Sequence, residues 1–188
     1  VELAETATLE NGTEANAVNR LLYNETAARG LPSVVKCDAL TSDNYFTGNT
    51  LGDYFSFYAS MMTNGSATYC STAQEDNASL EAFTRLHRYG LTDYNRVVVM
   101  RSISDFTRPP PSKSNDTVGW FNNPEDGGSH VAFANLPIAG MPLVEDILEN
   151  WDDVYYSGKK YGPENYTGDI FNTLGGTPDF GKSSFAVA

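Results

Sequence analysis

The fold class follows from the segment Arg96-Val-Val-Val-Met-Arg-Ser-Ile-Ser-Asp105 and its continuation, Phe-Thr-Arg-Pro-Pro-Pro111. Its β-branched run predicts a buried strand over 97–102, and the three prolines prevent regular structure from continuing. Ser104 and Asp105 therefore follow the carboxyl end of that strand. Because open α/β sheets bind ligands at this edge, we expect Asp105 to belong to a functional site.

Strand and helix signals alternate along the rest of the chain. Two N-terminal helices are predicted over 2–9 and 14–28. Three strand–helix pairs follow, namely 33–37 with 51–62, 67–71 with 75–89, and 97–102 with 142–156. Residues 113–128 are predicted to form an exposed excursion, and 159–188 a tail that wraps the surface. This order predicts one α/β domain over 1–188, a three-layer αβα arrangement with a mixed, largely parallel sheet.

Composition excludes several classes of partner. The formal net charge is −12, from 12 Lys plus Arg against 24 Asp plus Glu. Such a surface repels nucleic-acid phosphates and anionic membranes, so we expect neither as a partner. No apolar run is predicted to reach the length of a membrane span, and no signal peptide is visible. The chain begins at Val1, which predicts that an upstream segment has been removed.

Glycosylation signals and cysteines point to the secretory pathway. Asn-X-Ser/Thr occurs six times, against about three expected by chance. Either this is random polar surface, or the protein is glycosylated at Asn11, Asn24, Asn64, Asn115 and Asn165. The two cysteines, Cys37 and Cys70, are either buried free thiols or one disulfide, which the sequons favour. That bond would stabilise the fold by roughly 3–4 kcal/mol.

Three loops after the three predicted strands carry polar and aromatic side chains. Parallel neighbouring strands would bring these loops to one edge of the sheet. Their inventory suits a nucleoside, because an aromatic ring stacks on a base and a carboxylate accepts from ribose hydroxyls. Plainer roles remain open, namely charges at a helix start, a turn before prolines and loop anchors. The candidates are Asp43, Tyr45 and Phe46, then Glu75 and Asp76, then Ser104 and Asp105.

Several segments resemble the purine nucleoside permease family. They are Cys37-Asp-Ala-Leu-Thr-Ser-Asp-Asn-Tyr-Phe-Thr-Gly48, Gln74-Glu-Asp-Asn-Ala-Ser-Leu80, Leu86-His-Arg-Tyr-Gly90 and the 96–111 segment quoted above. The resemblance covers about residues 33–158. The family is similar in fold to nucleoside phosphorylases and methylthioadenosine nucleosidases. The resemblance therefore implies a phosphorylase-like fold, of which this chain would be only the C-terminal portion.

The resemblance also implies roles for individual residues. Tyr45 would stack on the base, with Asp43 and Phe46 beside it. Glu75 and Asp76 match a Met-Glu pair that holds the ribose hydroxyls, so the acid here is one methylene shorter. Asp105 would face purine N7, and Ser104 would orient it. Asn77 adjoins the ribose acid, so we expect it to be unmodified.

The resemblance leaves a part of the fold outside the chain. We expect a second chain with the N-terminal half, or a homo-oligomer, to cover the open sheet edge. The resemblance leaves phosphate open as a co-substrate, and no other cofactor is expected. His87 and His130 lack neighbouring ligands, so we expect no metal.

Three functions stay open at this point. The leading hypothesis is a secreted, extracellular protein that binds purine nucleosides and cleaves the N-glycosidic bond, with Asp105 as the acid. The second is capture of nucleosides for uptake without cleavage. The third is a glycosylated extracellular assembly protein.

Overall fold

The computed structural model describes residues 1–65, 67–123 and 128–157. Its sheet has two parallel strands, β1 (Asp38–Thr41) and β2 (Tyr69–Ala73). The register pairs Leu40 with Thr72, and an irregularity lies between Asp38 and Ala39. The Asp38 carboxylate accepts from the Thr68 backbone N–H at 2.7 Å, which fixes the start of β2. A helix connects the strands, so this part is a βαβ unit.

Seven α-helices lie in the described part of the chain. Two of them, α4 and α5, follow β1 and β2 and match the predicted helices within two residues at each end. The predicted 14–28 helix is two short helices instead. The seven are α1 (Glu2–Glu5), α2 (Glu14–Arg20), α3 (Thr26–Arg29), α4 (Asn49–Met62), α5 (Asp76–Arg88), α6 (Thr117–Phe121) and α7 (Ser129–Glu149).

The third predicted strand does not form. Residues 97–104 have no regular structure, and the two observed strands lie further along the chain than the 33–37 and 67–71 predictions. A β-branched run becomes a strand only where a neighbouring strand satisfies its backbone, and none lies beside this one in the described residues. The two-stranded sheet leaves the three-layer, phosphorylase-like arrangement a prediction.

The last long helix begins earlier than predicted. Apolar residues at helical spacing predicted a helix over 142–156, but α7 begins at Ser129 and carries Pro137 and Pro142 inside it. A π-helical turn, Trp151–Tyr156, continues after it. Two small buried residues, Ala132 and Ala139, line one side of α7, and the buried Ala4 lies in α1. The opposite side exposes large apolar residues.

The predicted excursion over 113–128 is partly a core element. Helix α6 buries Trp120, whose ring meets that of Tyr23 edge-on at 6.1 Å. The Tyr23 ring also stacks on Phe106 at 4.2 Å, and its hydroxyl donates to the Arg108 carbonyl at 2.6 Å. An aromatic cluster therefore holds the 106–108 segment. Residues 159–188, the predicted tail, lie outside the described residues.

The 107–108 segment is fixed from its other side by α4. The Thr107 carbonyl accepts from the Gly48 N–H at 2.7 Å and from the Thr47 hydroxyl at 2.8 Å. The Arg108 side chain crosses α4 at Gly52 and donates to Asp53 at 2.5 Å. A Cβ at Gly52 would lie 2.8 Å from the guanidinium carbon. The loop after β1 and the loop after 97–104 are therefore neighbours.

The predicted disulfide is confirmed. Cys37 and Cys70 are bonded, with 6.0 Å between their Cα atoms. The bond joins the residue before β1 to the second residue of β2, so it closes the βαβ unit independently of the backbone ladder.

We predict that Gly48→Ala lowers the free energy of unfolding by about 1–3 kcal/mol. Gly48 has φ 98°, and a Cβ there would lie 2.9 Å from Thr117 Cγ2. Chemical denaturation measures the change. Gly140→Ala is the matched control, because the nearest atom to its Cβ is Met100 Sδ at 3.7 Å. Equal losses at both positions would contradict the argument.

Candidate functional site

A cavity of about 850 Å³ lies beside the 98–106 segment. Its size is within the range of pockets that hold small organic ligands. Three of the predicted site residues line it, namely Asp76, Ser104 and Asp105. Phe106, which sequence reasoning did not assign, also lines it. The cavity therefore joins the acid of α5 to the Ser104–Asp105 pair.

Asp76 is the most constrained acid of this site. It is the first residue of α5, where a negative charge favours the helix N-terminus. Its two carboxylate oxygens lie 2.9 and 3.1 Å from Arg101 Nε, and Oδ1 also accepts from Arg101 Nη2. Only 13% of its side chain is exposed. Asp76 is therefore held at the cavity wall.

Glu75 differs from Asp76 in its exposure and in its position relative to the cavity. Its side chain is 70% exposed, and its Oε2 lies 3.5 Å from Arg101 Nη1. It is absent from the cavity lining. Of the two residues predicted to bind ribose, Asp76 lines the cavity and Glu75 lies outside it.

Ser104 and Asp105 form a pair at the cavity edge. The Ser104 hydroxyl donates to Asp105 Oδ2 at 2.9 Å. The Ser104 carbonyl accepts from the Gly128 N–H at 2.7 Å, directly before α7 begins. Asp105 is exposed, so its carboxyl group is available to a ligand. The backbone position of the pair is set by the start of α7.

The residues after β1 do not line this cavity. The half-exposed Tyr45 ring lies 5.2 Å from Phe121, and the buried Phe46 ring packs on Phe55 at 4.1 Å. Asp43 accepts from the Asn77 amide at 2.9 Å. Phe46 is thus a core anchor. A base-stacking role for Tyr45 stays a prediction.

Asn77 connects α5 to the loop after β1. Besides its bond to Asp43, its side-chain oxygen accepts from the Thr41 hydroxyl at 3.0 Å. Its backbone N–H donates to the same hydroxyl at 3.2 Å. The expectation that Asn77 is unmodified agrees with this use of its amide but stays a prediction. The other sequon asparagines of the described ranges, Asn11, Asn24, Asn64 and Asn115, are exposed, and Asn165 lies outside those ranges.

Sequence reasoning missed Arg101. It lies inside the quoted Arg-Ser-Ile-Ser-Asp run, where a cation in a predicted strand four residues before an acid was the available signal. The hydrogen bonds that Arg101 donates to the Asp76 carboxylate raise the pKa of Arg101 above its ordinary value, so the guanidinium stays charged. In the described ranges no group of His, Cys, Asp and Glu is arranged to hold a metal ion.

The described structure is an α/β unit with carboxylates at a cavity, and comparisons with known proteins identify its family. The purine nucleoside permease family matches residues 1–160. A purine nucleoside permease of Candida albicans is 63% identical over 188 residues, which is 100% of this chain and 46% of the relative. A probable purine nucleoside permease of Schizosaccharomyces pombe is 43% identical over 151 residues, 80% of this chain and 42% of the relative.

The chain belongs to the purine nucleoside permease family. It spans about half the length of the curated relatives it matches. No solved structure gives a significant match.

The expectation of a secreted, extracellular protein is wrong. The relatives are named permeases, a term for membrane transporters rather than secreted proteins. Helix α7 is long and apolar enough to cross a membrane by length and composition, which is weak evidence alone because core helices pass the same test. The sequence-based expectation that no apolar run reaches that length was therefore wrong for α7, and the absence of a span stays a prediction.

We predict that Asn77→Ala lowers the free energy of unfolding by about 1–2 kcal/mol, because two side-chain hydrogen bonds are lost. Chemical denaturation measures this change. Ser79→Ala is the control, because it removes the sequon and leaves the Asn77 amide intact. A loss that Ser79→Ala reproduces would mean that a glycan, and not the hydrogen bonds, stabilises this region.

Proposed function

We propose that this chain contributes the polar recognition groups of a purine nucleoside permease, which binds nucleosides for uptake. The observation that carries the proposal is the shared cavity of Asp76, Ser104 and Asp105. The names of the relatives support a purine nucleoside as the ligand. Uptake of the intact nucleoside fits those names better than cleavage does.

The ribose would lie against Asp76. A carboxylate has about four acceptor positions, and Arg101 leaves Oδ2 less occupied than Oδ1. Oδ2 is therefore the atom to which a ribose hydroxyl would donate. The shorter Asp side chain reaches the cavity because it is the first residue of α5 and already lies at the wall.

The purine would lie against Ser104, Asp105 and Phe106. Purine N7 accepts a hydrogen bond, which the Ser104 hydroxyl would donate in place of its bond to Asp105 Oδ2. The exposed Asp105 carboxyl group would accept from an exocyclic purine amine. Phe106 supplies an apolar ring beside them.

We predict that Asp76→Asn and Asp105→Asn each weaken nucleoside binding roughly tenfold to a hundredfold, as loss of a charge-assisted hydrogen bond does. The measurement is uptake of labelled adenosine, which carries both ribose hydroxyls and an exocyclic amine, by cells that express the full-length protein. Glu81→Gln is the control, because Glu81 lies on the same helix and pairs only with the exposed Arg85 among the contacts described. Full uptake in both aspartate variants would refute the site.

Cleavage is tested with the same protein. Purified protein incubated with inosine, with and without phosphate, is expected to release no hypoxanthine. Release that depends on Asp105 would establish cleavage of the N-glycosidic bond instead, and a phosphate requirement would identify phosphate as the co-substrate.

We also propose that the remainder of the full-length polypeptide covers the apolar surface of this chain. Val98 is 67% exposed in the 97–104 segment, and Phe133 is 78% exposed on α7. Met141, Val144 and Leu148 continue the α7 surface at helical spacing. Large exposed apolar surfaces on a protein mark interaction sites. The chain spans 46% of its relative, so polypeptide is available to cover them.

Hydrogen exchange tests this proposal. We expect fast exchange of the 97–104 amides in the isolated chain and protection in the full-length protein. A compact, monomeric isolated chain with protected 97–104 amides would refute it. Protection that appears only on self-association would assign the surface to a second copy, and protection that requires detergent or lipid would assign it to the membrane.

A further inference from the structure

The contact between Asp76 and Arg101 joins two parts of the cavity wall. The residues are 25 positions apart, one at the start of α5 and the other on the irregular 97–104 segment. Arg101 reaches both carboxylate oxygens through Nε and adds a contact from Nη2 to Oδ1. Its second amino group lies 3.5 Å from Glu75. The Arg101 guanidinium therefore contacts both Asp76 and Glu75.

This contact differs from the ion pairs that form within one turn of the described helices. Arg85 and Glu81 pair within one helix turn, and their side chains are largely exposed. Such pairs contribute little to stability. Asp76 is mostly buried, both it and Arg101 line the cavity, and the contact joins two elements. This geometry fixes the orientation of the Asp76 side chain.

A planar fork is needed for this geometry. Arg presents several N–H donors in fixed directions, whereas Lys presents a compact charge on a flexible stem. Nε can face the carboxylate only in a guanidinium. The cation also offsets the repulsion between the adjacent Glu75 and Asp76 carboxylates. Removing the fork while keeping the charge therefore isolates the orienting effect.

We infer that Arg101 is a positioning residue that orients Asp76 toward a ribose hydroxyl and so sets the preference of this site for ribonucleosides. The inference rests on the function proposed above. Arg101 itself does not touch the ligand in this arrangement. Its effect passes through Asp76, and it vanishes where either the hydroxyls or the Asp76 carboxylate are absent.

Two ligands separate orientation from general damage. The full-length protein is titrated with inosine and with 2′,3′-dideoxyinosine, which lacks both ribose hydroxyls. The ratio of the two dissociation constants does not depend on the fraction of protein that is folded. The preference between the two ligands can therefore be measured even for a partly misfolded variant. The variants are Arg101→Lys, Arg101→Met and Asp76→Asn, with Asp76→Asn/Arg101→Met as the double variant.

The wild-type protein is expected to prefer inosine at least tenfold. Arg101→Lys should lose most of that preference through weaker inosine binding, with dideoxyinosine binding changed less than twofold. The double variant should have the same preference as Asp76→Asn alone. Arg85→Lys is the matched control and should keep the wild-type preference.

The contrary outcomes are distinct. A wild-type preference that survives in Arg101→Lys would overturn the role of Arg101 and leave the ribose contact intact. No preference in the wild-type protein would overturn the ribose contact and the role of Arg101 together. Equal losses for both ligands in Arg101→Lys would make Arg101 a structural residue only.

Discussion

The backbone carbonyl of Thr107 is the point on which the arrangement of the site depends. Two donors from the loop before α4 meet at this oxygen, the Gly48 N–H and the Thr47 hydroxyl. Arg108 then crosses α4 at Gly52 and binds Asp53. Because the prolines that follow provide no N–H donors, this segment cannot form a regular helix or strand in place of these contacts. The loops after β1 and after 97–104 are thus held together by contacts that no neighbouring strand supplies.

Helix α5 is tied to both loops by its first two residues. Asn77 binds Asp43 and Thr41 on one side, and Asp76 binds Arg101 on the other. The start of α5 therefore lies between the two loops, which are themselves joined through Thr107. Three segments distant in sequence form a closed set of contacts, and a change in one shifts the others. In a chain of net charge −12, the acid at the cavity wall is compensated locally by Arg101.

Local signals predicted the features that depend on local sequence. Helices α4 and α5 were predicted because their apolar spacing is a property of the segments themselves. The 97–102 strand failed because a strand depends on its neighbour, which the sequence of the segment does not contain. The start of α7 failed because Pro142 resembles a first helical residue but lies inside a helix whose earlier turns carry weaker signals. The Asp76–Arg101 contact depends on tertiary position, so spacing alone did not reveal it.

The site also shows why neighbouring candidate residues separate once the chain folds. Successive side chains of an extended loop point in opposite directions, so burial of Phe46 against Phe55 turns Tyr45 outward to Phe121. At a helix start successive side chains differ by about 100°, so Asp76 reaches the cavity while Glu75 faces solvent. Two adjacent candidate residues therefore have different positions in the structure: one can lie at the site while the other packs in the core or faces solvent. Ser104 and Asp105 are the exception, because the turn before the prolines brings both to the cavity.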